Sequence, residues 1–167
     1  MPRGSGGKRV GGKMASAMGF FDRLLSSPDK TALAELAELT GRKEALIHRL
    51  KRHAEMCSYP NIRAGLEHIA QGQADSFKIL RAILTDRGTW ARPPEATPRE
   101  GTNNWERLSN DLAIMRSIAV GMQKAAGVWE GIDQAIADKL APIALADNDA
   151  ESELRAIALK CDPQALD

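Results

Sequence analysis

Polar side chains recur in this chain at positions where apolar spacing puts the inner faces of helices. Thr40 and Glu44 fall on a stripe that reads Leu33, Leu36, Thr40, Glu44, Ile47, Leu50, Ala54 and Cys57, in steps of three and four. Gln73 and Ser76 share a stripe with Ile69, Phe77 and Leu80, and Asp147 shares one with Ile143 and Leu154. Asp111 lies beside a stripe formed by Leu108, Leu112 and Met115. Buried polar groups need hydrogen-bond partners, and a buried carboxylate needs a cation. Two chemistries follow. One is a hydrogen-bonded cluster of Gln73, Thr40, Ser76 and Asp147. The other is a metal site drawing on Glu44, His48 and Asp147, since Glu44 and His48 stand four apart on one helix face.

The remaining reactive residue types form no comparable constellation. The three histidines are His48, His53 and His68, and each reads as a surface residue. His53 lies about 140° around a straight helix from His48, so the two cannot share a site. Cys57 falls on the apolar stripe and reads as a small core residue, while Cys161, near the end of the last helix, reads as the more reactive thiol. Two cysteines without a Cys-x-x-Cys pairing read as reduced thiols of a cytoplasmic protein. Arg42, Lys43, Arg49, Lys51 and Arg52 make one helix basic; with Glu44 and Glu55 among them and no aromatic residues between, this reads as a solvated face. Trp90, Trp105 and Trp129 fall at helix or loop ends, where they would plug the ends of a bundle, and an exposed Trp90 would mark a partner surface. There is no glycine-rich phosphate loop, zinc spacing or Ser-His-Asp arrangement.

Four long helices must position these residues. The first spans about 29–57, with Asp29 as its cap, and Ser58-Tyr59-Pro60 turns the chain into the second, about 60–85. The third spans about 102–126 and is broken by Gly127. The fourth starts near 130, fades after 160, and contains Pro142, which should kink or interrupt it. Between the second and third lies a connection with three prolines and no periodicity. Its roughly 14 residues reach about 45–50 Å when extended, against about 39 Å for a 26-residue helix. Such a loop can run the length of a bundle and leave the second and third helices parallel.

A repeat supports this pairing. Residues 69–84 return at 143–158 without a gap, with seven of sixteen positions identical, including the opening Ile-Ala and the closing Leu-Arg-Ala-Ile. The chain therefore reads as two related helical hairpins, at 28–161. Ahead of them come a Gly-rich basic leader (1–17) that should be disordered and a short amphipathic helix (18–27); a tail (162–167) follows. The leader could touch nucleic-acid phosphates, or translation could start at Met14 or Met18 instead of Met1.

Composition agrees with one helical domain: 167 residues, 4% aromatic, and a net charge of +1. The near-neutral charge argues against bulk attraction to nucleic acid or membrane. No apolar run approaches the roughly 20 residues needed to span a bilayer.

Tyr59-Pro60, Ile62, Leu66 and Ile69-Ala70, followed by a polar stretch and Leu80-Arg81, resemble the first hairpin of rubrerythrins and other ferritin-like proteins. The duplication and the long crossover resemble that fold too. The resemblance implies an all-α, ferritin-like four-helix bundle. It also implies a di-iron site with one Glu on each of the first and third helices and Glu-x-x-His on the second and fourth. Laid on that pattern, the slots fall on Thr40, with Glu44 one turn later; on Gln73 and Ser76; on Asp111 or Ile114; and on Asp147 and Ala150. No slot keeps its histidine. The expectation is a non-catalytic ferritin-like bundle with no resident cofactor, acting as a binding, scaffold or oligomeric protein, through a dimer or another protein partner. Ala135, Ala137, Ala141, Ala144 and Ala146 would allow close approach along the fourth helix. The alternative is a protein of iron or peroxide chemistry that holds iron or manganese through Glu44, His48, Asp111 and Asp147.

Overall fold

The computed structural model describes residues 27–95 and 99–161. The expected leader, the short helix over 18–27 apart from Ser27, and the tail lie outside the described residues. Four helices make the fold: α1 (Pro28–Met56), α2 (Pro60–Asp86), α3 (Asn104–Glu130) and α4 (Gln134–Leu159).

Local chemistry fixes their ends. Pro28 and Pro60 open α1 and α2, where a missing N–H costs no helical hydrogen bond. Ser27, rather than Asp29, stands at the cap position of α1. Asn103 caps α3 by accepting from the Glu106 N–H at 2.8 Å, and the Glu106 carboxylate accepts in return from the Thr102 N–H at 2.8 Å. That contact holds the Glu106 carboxyl below its ordinary value. Asp133 caps α4 through the N–H groups of Ala135 and Ile136.

Neither Gly127 nor Pro142 interrupts its helix. Gly127 lies within α3, which continues until buried Trp129 is seated in the core. Burial of that ring outweighs the roughly 1 kcal/mol that a helical glycine costs. Pro142 lies within an unbroken α4, on its exposed face, so the Asp138 carbonyl that loses its N–H partner is on a solvated turn.

α1 packs against α2 and α3, and α4 packs against α3 and α2; the diagonal pairs make no close backbone approach. Asn104, at the start of α3, donates to Cys57 Sγ at the end of α1. At the other end, Arg87 after α2 pairs with Asp133 before α4. The crossover therefore runs the length of the bundle and α3 lies parallel to α2. It is pinned on the way, where the Arg92 N–H donates to the Ala37 carbonyl at 2.9 Å. A Cβ at Gly41 would sit 1.6 Å from the Arg92 carbonyl oxygen, so only glycine lets the crossover lie this close to α1.

The core between the helices is aliphatic, built on Leu36, Leu50, Leu80, Met115, Met122, Leu140 and Leu154. Ala137 and Ala144 are part of it, so only Ala135, Ala141 and Ala146 of the alanine series face outward on α4. Trp129 is buried with the Arg87 guanidinium over its ring, 5.8 Å from the centroid, whereas Trp90 is 67% exposed on the crossover. No helix among the described residues is long and apolar enough to cross a membrane.

Candidate functional site

The centre of the bundle holds a charged pair. Lys43 is fully buried on α1, and its Nζ donates to Asp147 Oδ1 on α4 and to Gln73 Oε1 on α2, both at 2.5 Å. Gln73 Nε2 donates to the same Asp147 Oδ1 at 2.9 Å. The pair spans a diagonal of the bundle that the backbones themselves do not bridge. Burial pushes the Lys43 ammonium below its ordinary pKa, against the opposing pull of Asp147.

A second buried carboxylate lies further along α1. Asp111 on α3 accepts from Arg49 Nε at 2.8 Å and pairs with His53 Nδ1 at 2.5 Å. An ionised carboxylate only accepts, so this contact puts the proton on His53 Nδ1. Glu100 on the crossover covers the group from outside, pairing with Arg52, 3.7 Å from Arg49 and 4.0 Å from His53 Nε2. Arg49 and His53 follow Lys43 by about 9 and 15 Å along the helix axis, so the two acids are neutralised at different levels of the bundle.

The sequence-based assignments meet this geometry unevenly. Thr40, Gln73, Ser76, Asp111 and Asp147 are buried, and Ala150 is half-buried. Of the expected cluster only the Gln73–Asp147 bond forms. Thr40 Oγ1 instead donates to the Leu36 carbonyl of its own helix at 2.7 Å, and Ser76 does not join. Glu44 is exposed, which corrects its place on the inner stripe; His48 is exposed too, in line with its surface reading, so the two do not meet Asp111 or Asp147 in the core. The inner face of α1 steps from Thr40 to Lys43 to Ile47, three then four, rather than through Glu44. The same phase overturns the solvated reading of Lys43 and Arg49 and the surface reading of His53, all of which are buried. The signal that could have found them was the pair of acids at inward positions, which demand cations from a facing helix. Cys57 and Cys161 are free thiols. Cys161 is half-buried, and burial, with a smaller contribution from Cys57, raises its pKa, so it is less reactive than its place in the sequence suggests.

The donor set does not fit a pair of metal ions. Glu44 and His48 point to solvent, Asp147 Oδ1 is taken by Lys43 and Gln73, and both oxygens of Asp111 are taken by Arg49 and His53. Asp147 Oδ2, buried without a hydrogen-bond partner among the described residues, is one donor atom where a bridged site needs several. No group of three His, Cys, Asp or Glu side chains among the described residues converges as metal ligands would.

No family model matches the chain, and no curated protein matches it. Solved structures do. The chain is similar to the Dps of Thermosynechococcus elongatus, at TM-score 0.68 and 13% identity, over 77% of this chain and 90% of that one. It is similar also to an archaeal Dps homologue from Halobacterium salinarum, at TM-score 0.65 and 17% identity, over 82% of this chain and 85% of that one. With the parallel α2 and α3 and the full-length crossover, these likenesses establish the fold: the chain is an all-α, ferritin-like four-helix bundle.

Proposed function

We propose that this protein is a non-catalytic ferritin-like bundle that works by binding or self-association, with protein cations in the place of metal at its centre. The observation that carries this reading is the Lys43 ammonium, 2.5 Å from both Asp147 Oδ1 and Gln73 Oε1. Gln73 and Asp147 are positions that the ferritin-like pattern gives to metal ligands. A primary ammonium supplies one positive charge and three donors, which balances one carboxylate and orients one amide. It offers no open coordination position and no redox change. The Arg49 guanidinium balances Asp111 in the same way, with His53 hydrogen-bonded to the second oxygen, so neither acid requires a metal for charge balance.

Self-association through α4 is part of this reading. Its outer face carries Leu145 and Leu159, 65% and 54% exposed, with Ala141 and Ala156 on neighbouring turns. A cytoplasmic location fits the two free thiols.

The test is elemental analysis of untagged protein after anaerobic loading with Fe²⁺, Mn²⁺ or Zn²⁺. The expected result is no stoichiometric metal. About two metals per chain, lost on Asp147→Asn and Glu44→Gln, would overturn the proposal and return the protein to iron or peroxide chemistry. Sedimentation velocity checks the second part: a dimer that Leu145→Glu converts to monomer supports association through α4.

A further inference from the structure

We infer that the groove between α1, α3 and the crossover binds a small amphipathic anion, one carboxylate or phosphate group on a short hydrocarbon body. The groove encloses about 580 Å³, within the range of small-molecule sites. It draws on α1, α3 and residues 92–95 and takes no residue from α2 or α4, so it is separate from the Lys43–Asp147 pair and goes beyond the reading of the core.

Its chemistry is divided. Leu46 and Ile114 form an apolar floor, faced by Pro93 and Pro94 on the crossover. The polar group set deepest is Arg49, 5% exposed and already paired with Asp111. Arg42 and Arg92 line the same space, and neither forms an ion pair with a described residue; the Arg42 guanidinium donates to Ser117 Oγ at 3.5 Å. The Arg92 backbone is fixed by its bond to Ala37, so this second guanidinium is carried on an anchored stem. Beside this hydrocarbon, Arg42 and Arg92 offer an entering ligand donors that hold no ion pair with a described residue, which favours an acceptor group on an apolar body. Glu38 and Glu95, both exposed, also line the groove and limit its positive field, which favours a single charged group over a polyanion. Fork-shaped guanidinium donors suit either carboxylate or phosphate oxygens.

Isothermal titration of the full chain with octanoate, octyl phosphate and octylammonium at constant ionic strength tests this. Saturable one-to-one binding of octanoate or octyl phosphate is expected, the tighter of the two identifying the head group, with none for octylammonium. Arg42→Ala and Arg92→Ala should each weaken that binding about tenfold. Ala113→Trp, an exposed groove position, should block it with helical circular dichroism unchanged. Absence of saturable binding by either anion, equal binding of octylammonium, or affinity unaltered in both arginine variants overturns the inference. The arginine variants alter exposed side chains, so they decide the matter even where the tryptophan variant fails to fold.

Discussion

Gln73 and Asp147 are hydrogen-bonded to each other at 2.9 Å, and they are the same position in the two copies of the repeat, 74 residues apart. The duplication therefore closes on itself at the middle of the bundle. One copy contributes a neutral amide and the other a carboxylate, and this asymmetry leaves one negative charge to be balanced. Lys43 reaches both partners from α1 and supplies the balance. The three side chains form one unit, in which removing a single member strands the others.

Breaking that unit and erasing it should differ in outcome. Lys43→Met leaves Asp147 buried without a cation and should cost about 3–5 kcal/mol of folding free energy. The triple variant Lys43→Met/Gln73→Leu/Asp147→Leu replaces the polar unit with apolar side chains. It should lie near the wild type or up to about 4 kcal/mol above it. Urea unfolding of both proteins measures this, and a triple variant less stable than the single one would show that the unit is a net source of stability.

The depressed pKa of Lys43 has a consequence at alkaline pH. Between its lowered folded value and the ordinary lysine value of 10.5, the unfolded chain holds a proton that the folded chain has released. Unfolding takes up a proton in that window, so this group makes stability rise with pH across it. Below the window the burial penalty is fully present. The difference in unfolding free energy between wild type and the triple variant should accordingly shift in favour of the wild type as pH climbs from neutral towards 10.5. A flat difference would place the Lys43 pKa at its ordinary value.

The Asp111 group predicts a different sensitivity. Asp111→Ala leaves the buried side chains of Arg49 and His53 without the carboxylate they share, and should cost about 3–5 kcal/mol. Arg52→Ala, by contrast, removes an exposed pairing with Glu100 and should cost no more than about 1 kcal/mol. Thermal denaturation of the two variants side by side checks the ratio. Equal losses would mean that Glu100, rather than Asp111, is what balances this end of α1.

How far the sequence could be read follows from the same residues. The helices, the parallel crossover and the inward placement of Gln73 and Asp147 were legible because long apolar stripes and a gapless repeat specify them redundantly. The phase of α1 was not. Lys43 and Glu44 are adjacent, both charged, and both compatible with steps of three and four from Thr40. Only the facing acid decides between them, and that is a contact across the bundle. His53 and Arg49 were missed for the same reason, since their burial is stabilised by Asp111, 58 and 62 residues away. Gly127 was read as a break and Pro142 as a kink or interruption because local propensity says so, yet neither interrupts its helix, where packing on either side holds it together.

The crossover yields the last prediction. Gly41 is buried beneath the Arg92 backbone, and a Cβ there would meet the Arg92 carbonyl oxygen at 1.6 Å and its carbon at 2.4 Å. Backbone atoms cannot rotate aside as a side-chain end can, so Gly41→Ala must lift this part of the crossover from α1 and break the Arg92–Ala37 bond. Alanine is the better helix former by roughly 1 kcal/mol, which favours the variant locally. Overpacking costs about 1–3 kcal/mol and the lost hydrogen bond about 1 kcal/mol more. The balance should leave Gly41→Ala less stable by about 1–3 kcal/mol. Its amide exchange should quicken at Arg92 while the centre of α2 stays protected. Gly72→Ala, where an added Cβ meets nothing within 4 Å, is the matched control and should stabilise the protein instead.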